Sequence, residues 1–184
     1  MMNYKSFTFA FLFTLFSLGN SIAQSKIAYP KNEFRAVWIA TVANIDWPKN
    51  NTDSVEKEKN DFIEILESYK KLNYNAVIVQ IRSNGDAFYP SELAPWSRNL
   101  TGKEGKAPSP YFDTLEWMIT EAHHRGFEFH AWINPFRATS GANTEILSRK
   151  HDLIKHPDWM IKYAGKYYYK IVSPHEQASQ YFNI

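Results

Sequence analysis

The sequence has no cysteine, so no disulfide or thiolate-held metal can brace it, and its stability must come from a packed core. It also lacks any block of like charge. The 21 basic and 19 acidic side chains are interspersed and leave a net charge of +2. A nucleic-acid face, which gathers Lys and Arg to neutralise phosphates, is therefore not expected. Neither His123-His124 nor His151 and His156 has the helical His-x-x-x-His spacing with a companion acid that a zinc site uses, so no metal and no other cofactor is expected. Beyond residue 23 no apolar run approaches the roughly 20 residues needed to span a bilayer, so the mature chain is expected to have no integral membrane segment.

The one long apolar run stands at the start. Lys5 supplies a single positive charge, residues 7–18 are almost wholly apolar, and Ser21-Ile22-Ala23 places small residues where a signal peptidase inspects the chain. Residues 1–23 thus have the pattern of a secretory signal peptide cut after Ala23. The rival reading, an uncleaved anchor, needs a longer apolar stretch than the dozen or so residues present. The expected product, residues 24–184, is secreted or periplasmic and of single-domain size. The missing cysteine removes the acceptor for an N-terminal lipid.

Aromatic residues make up 16% of the chain, with six Trp and eleven Tyr. A large core explains many of them. Carbohydrate sites also use such rings, because the C–H faces of pyranoses stack on them.

Along the chain, Phe34-Arg35-Ala36-Val37-Trp38-Ile39-Ala40-Thr41-Val42 reads as a buried strand, ended by the turn residues Asn44-Ile45-Asp46-Trp47-Pro48. Over residues 54–72 the period changes: Phe62, Ile65, Leu66, Tyr69 and Leu72 recur at helical spacing. Residues 75–81 form a second, β-branched strand, broken by Arg82-Ser83-Asn84-Gly85-Asp86. A second helix is predicted from Asp113, which has capping-box spacing to Glu116, to a stop at Gly126. Residues 127–133 make a third strand, ended by Asn134-Pro135. Residues 101–110 read as a long loop, 143–154 as containing a short helix, and 163–172 as a small hairpin around Gly165.

The order β-α-β-α-β predicts an α/β fold with a parallel sheet and external helices. A dinucleotide-binding sheet would carry a glycine-rich loop after its first strand, and residues 42–48 contain no glycine. A (β/α)8 barrel of the TIM type is the remaining expectation. Three strands do not close one, so the chain is expected to be the N-terminal part of a truncated barrel domain.

In such a barrel the site lies at the carboxyl ends of the strands. Those ends carry Asn44, Asp46 and Trp47; then Arg82, Asn84, Asp86 and Tyr89; then His130, Trp132, Asn134 and Arg137. Strand alternation puts His130, Trp132 and Asn134 on one face, and Arg82, His130 and Asn134 are expected to converge near the barrel axis. Trp47 and Trp132 would offer stacking surfaces, and Arg82, His130, Asn134 and Arg137 polar contacts or supports. Structural alternatives stand beside these roles: Arg82 pairing with Asp86, His130 satisfied in the core, and Asp86 serving only its turn. Glycoside hydrolysis uses two carboxyl groups across the scissile bond. Asp46, Asp86 and Glu92 are the available acids, and Asp86, directly after Gly85 where the strand exits, is the candidate catalytic residue.

Three segments carry a family resemblance. They are Phe34-Arg35-Ala36-Val37-Trp38-Ile39-Ala40-Thr41-Val42; Arg82-Ser83-Asn84-Gly85-Asp86-Ala87-Phe88-Tyr89-Pro90-Ser91-Glu92 with Pro95-Trp96-Ser97; and His130-Ala131-Trp132-Ile133-Asn134-Pro135-Phe136-Arg137. Together with Leu100-Thr101-Gly102 and Ala122-His123-His124-Arg125-Gly126, these resemble the glycosyl-hydrolase-like 10 group of bacterial envelope proteins, over about residues 33–162. The resemblance implies a (β/α)8 barrel and hydrolysis of cell-envelope glycan, in at least some members peptidoglycan strands stripped of their stem peptides. Its members usually continue through Asn-Pro-Gly to a strand ending in adjacent aspartates. This chain has Val172-Ser173-Pro174-His175 near the first position and ends before the second. The partner is thus expected to be a polysaccharide. A non-catalytic glycan-binding barrel is the alternative, and a metal-dependent sugar deacetylase lacks its ligands.

Overall fold

The computed structural model describes residues 33–170. The expected signal peptide and the residues after 170, including Val172-Ser173-Pro174-His175, lie outside the described residues. Strands β1 (Ala36–Ile39), β2 (Ala76–Arg82) and β3 (Glu128–Ile133) form one parallel sheet in the order β1-β2-β3. Helices α1 (Val55–Lys71) and α3 (Thr114–His124) are the two crossovers. Ala36 pairs with Ala76 and Ala76 with Glu128, and the β2–β3 register slips between Gln80 and Arg82, at the end where the chain leaves the sheet.

Both helices start where a side chain can satisfy the orphan N–H groups of the first turn. Ser54 accepts from the Lys57 N–H at 3.2 Å, and Asp113 accepts from Leu115 and Glu116 at 3.0 and 3.1 Å. Each helix buries one stripe, Phe62 and Leu66 from α1 and Met118 and Ala122 from α3, against Val37, Ile39, Val77, Val79 and Ile81. Both helices therefore cover the same face of the sheet. The opposite face carries Trp38, His130 and Trp132. Trp38 meets Trp132 edge-on at 5.1 Å between ring centroids and remains 59% exposed, so no part of the described chain packs over it.

Between α1 and β1 the chain packs a third layer of contacts through Trp47. Between β2 and α3 runs a long excursion, with a single helical turn α2 (Arg98–Thr101) closed by Gly102 in the left-handed conformation. After β3 the chain builds a small satellite. It contains α4 (Asp152–Lys155), then β4 (Met160–Tyr163) and β5 (Lys166–Tyr169), an antiparallel hairpin. The expected helix in residues 143–154 is thus only this final turn, while the hairpin around Gly165 forms as expected, with Ala164 and Gly165 both at positive φ. Its core is Ala138, Leu153 and Met160, joined by Leu147, Trp159, Tyr167 and Tyr169.

Candidate functional site

The satellite rests on the end of the sheet from which β2 and β3 exit. The Gly85 N–H donates to the Ala138 carbonyl at 3.1 Å, and Ala138 and Thr139 both donate to the Tyr167 carbonyl. His151 locks this arrangement. Its Nε2 donates to the Ala138 carbonyl at 3.1 Å, while Nδ1 accepts from the Leu153 N–H at 3.0 Å. An Nδ1 that accepts cannot also hold a proton, and burial pushes the ring's pKa down, so His151 is neutral. The Tyr169 hydroxyl donates to Asp152 Oδ2 at 3.0 Å, and burial pushes its pKa well up.

Gly85 is required here by close approach. A Cβ on it would lie 2.7 Å from His151 Nε2 and 2.9 Å from the Tyr169 oxygen, both fixed by the bonds just named. Gly85→Ala is expected to destabilise the protein by about 1–3 kcal/mol through overpacking. A lowered urea midpoint checks it; an unchanged midpoint would mean that the wall yields freely.

Between the β2 exit and residues 138–147 lies a cavity of about 290 Å³. Asn84 and Asp86 line it from the turn after β2, Arg98 and Asn99 from α2, Glu104 from the following loop and His151 from the satellite. It lies beyond the carboxyl ends of parallel strands, where α/β sheets place their ligands. Asp86 is 2% exposed, and its Oδ1 accepts from the Asn84 N–H at 3.2 Å and, more weakly, from the Ser83 hydroxyl at 3.5 Å. It is therefore both a turn residue and a lining carboxyl.

The other expected site residues divide. Asn134 is a clip: its Nδ2 donates to the Ser83 carbonyl at 3.1 Å and its N–H to the Arg82 carbonyl at 3.0 Å, holding the two strand ends together. Arg82 is buried, and its charge acts on His151 and Tyr169 beneath the cavity. Arg137 is half-buried and pairs through its backbone with Tyr168, one residue before the cavity wall begins.

Three expectations are corrected. Trp47 offers no stacking surface, because it is fully enclosed, with Nε1 donating to the Glu58 carbonyl at 2.8 Å. His130 does not join Arg82 and Asn134. It pairs with Ile78 in mid-strand, and four residues of strand separate it from Asn134 by about 13 Å. Nor is it a core histidine: half-exposed, it touches Phe34 and lies 3.2 Å from Glu128. Trp132 lies on the open sheet face and donates its indole N–H to Asn134 at 2.9 Å, orienting the clip. Of the other acids, Asp46 accepts from the Ala40 N–H at 2.8 Å and closes the β1 turn, while Glu92 is exposed.

Sequence reasoning missed Glu104, which is 8% exposed. Its Oε1 accepts from the Ser148 N–H at 2.9 Å, pinning the far wall of the cavity to the loop after α2. Burial pushes its pKa up to about 7, reinforced by Asp86 and opposed by the Ser148 N–H and Arg98. The folded state thus holds this proton more tightly than the unfolded chain. The associated stability is full below about pH 4.5 and is lost as pH rises through about 7. Glu104→Gln keeps the acceptor and removes the titration. It is expected to raise stability at pH 8 by on the order of 2–3 kcal/mol, with no gain at pH 4. Unfolding at the two pH values checks it, and an equal gain at both would show that the Glu104 proton is not its source.

The glycosyl hydrolase-like 10 family model matches residues 33–181, most of the sequence. The chain belongs to this family. Among curated relatives of this glycosyl hydrolase-like 10 chain, the glycosyl hydrolase YngK of Bacillus subtilis (strain 168) is 49% identical over 144 residues, covering 77% of this chain and 28% of that protein. The glycosyl hydrolase DigH of Escherichia coli (strain K12) is 32% identical over 142 residues, covering 68% of this chain and 32% of that protein. The chain thus spans about a third of the length of these relatives. Among the described residues no cluster of His, Asp and Glu could hold a metal ion, and no helix is long and apolar enough to cross a membrane.

Proposed function

We propose that this glycosyl hydrolase-like 10 chain is part of an exported glycoside hydrolase, secreted or periplasmic, that cuts cell-envelope glycan by carboxylate acid/base catalysis. Its substrate is peptidoglycan strands stripped of their peptides. In this reading β1, β2 and β3 are the first strands of a (β/α)8 barrel, and the sheet face bearing Trp38 and Trp132 is its interior. Sequential strand order and helices on one face support it.

One observation carries the functional reading: a cavity beyond the strand ends that combines the Asp86 carboxyl with Asn84 and Asn99, a lining suited to sugar hydroxyls. The relatives' names supply the reaction class. The test is release of new reducing ends from purified, peptide-free glycan strands by the full-length protein. Binding without release would favour a second reading, a barrel that holds glycan and does not cut it. The engagement of Asp86 Oδ1 in its own turn speaks for that alternative.

A further inference from the structure

The strongest feature that the proposed hydrolysis leaves unused is a set of uncompensated cations at the cavity rim. Arg98 is exposed and lines the cavity that holds Asp86. It also lines an adjoining depression of about 610 Å³, which Lys103 and Arg149 border as well. Among the described residues, none of these three cations has an ion pair or a side-chain hydrogen bond.

Arg98 is nevertheless held in place through its backbone. Its carbonyl accepts from the Gly102 N–H at 2.8 Å, and the neighbouring Asn99 carbonyl accepts from Asn44 Nδ2 at 2.7 Å. The turn that carries it is therefore fastened to the β1 exit, and only its side chain is free to meet a ligand. Glu104, a buried acid that feels the Arg98 charge, has its pKa pushed up to about 7 by burial, so below that pH it neutralises little of that charge. Asp86 lies deeper, 2% exposed against the open rim.

A guanidinium carried on a fastened turn beside a sugar-sized cavity matches a planar carboxylate, which it can bind through two parallel hydrogen bonds. The geometry points to Arg98 as the residue that reads a sugar carboxylate, with Lys103 and Arg149 extending a cationic track for further acidic units. The inference rests on the proposed glycan site and narrows it to an acidic glycan. Two sources share this chemistry: the lactyl ether carboxylate of a peptidoglycan strand, which is free once the peptide has gone, and the ring carboxylate of a uronic acid polymer.

Binding separates this inference from the proposed hydrolysis, because affinity is read whether or not the glycan is cut. The full-length protein would be titrated calorimetrically with peptide-free glycan strands, with the same strands after reduction of their carboxylates to alcohols, and with a uronate polymer. Intact strands are expected to bind about 10-fold more tightly than reduced ones, the scale of one charge-assisted contact. Arg98→Gln should remove that preference without weakening binding of reduced strands, and Arg98→Lys should restore part of it. The preference should fade at about 0.5 M salt, as for any rim charge. Arg98-dependent binding of the uronate polymer instead would support the carboxylate reading and name the other source. Equal affinity for intact and reduced strands, equal loss on both in Arg98→Gln, or no binding to any of the three overturns it. Failure to cut strands that are bound in this Arg98-dependent way counts against the hydrolase reading alone.

Discussion

Asp86→Asn in the full-length protein is expected to lower the turnover of peptide-free glycan strands by about 10²- to 10⁴-fold, the range for loss of a group that transfers a proton or stabilises charge at the reacting bond. The substitution is close to isosteric. An asparagine Oδ1 still accepts from the Asn84 N–H, the bond that holds the turn at 3.2 Å, and Ser83 and the Asn134 clip are untouched. What the variant loses is the carboxyl's ability to carry negative charge or a proton. Turnover should therefore fall with little change in KM, the signature of an interaction made in the transition state. Unchanged unfolding would show that the wall formed by the satellite remains seated. Activity within about ten-fold of wild type would take Asp86 out of the chemistry and leave it as a turn residue in a glycan-holding barrel.

Much of the frame was legible because its causes are local. Short apolar runs bounded by turn residues, β-branched in β2, gave the three strands, and the period-3.6 stripe of Phe62 and Leu66 gave α1. Ser54 and Asp113 stand at helix starts for reasons contained within three residues of sequence. Asp86 was found by the same logic, since a strand followed by a Gly-Asp turn marks a strand exit. The rest of the cavity depends on contacts between distant segments. Glu104 is 44 residues from Ser148, and nothing around Gly102-Lys103-Glu104-Gly105 marks it as buried. Its one signal was the length of the loop that carries it, since long loops in compact domains tend to be functional. His151 could be weighed as a metal ligand from sequence, but not as the pin of the Ala138 wall. The error over His130 has a different cause. Alternation assigns a residue to a face, not to a depth along the strand, and the depth decides whether it reaches the mouth.

Trp47→Ala should cost about 3–5 kcal/mol of stability, the usual range for emptying a buried tryptophan site. The sequence around Trp47 reads as an exposed turn, yet Asp46 bends the chain back by accepting from the Ala40 N–H, and the indole goes inward. There it meets Phe62 of α1 edge-on at 5.3 Å and Phe88 of the β2 exit at 6.2 Å, and it donates to the Glu58 carbonyl. One side chain thus joins the β1 exit, the first crossover helix and the loop that follows Asp86. Alanine would leave a cavity lined by two rings that cannot collapse together, because each belongs to a different element. Trp47→Phe separates the contributions. It retains most of the packing and loses the hydrogen bond, for a cost of about 1–2 kcal/mol. Because Trp47 has no exposed face, both variants should bind glycan normally at temperatures where they remain folded. A specific loss of glycan affinity in Trp47→Phe, with stability unchanged, would return Trp47 to the stacking role that its enclosure rules out.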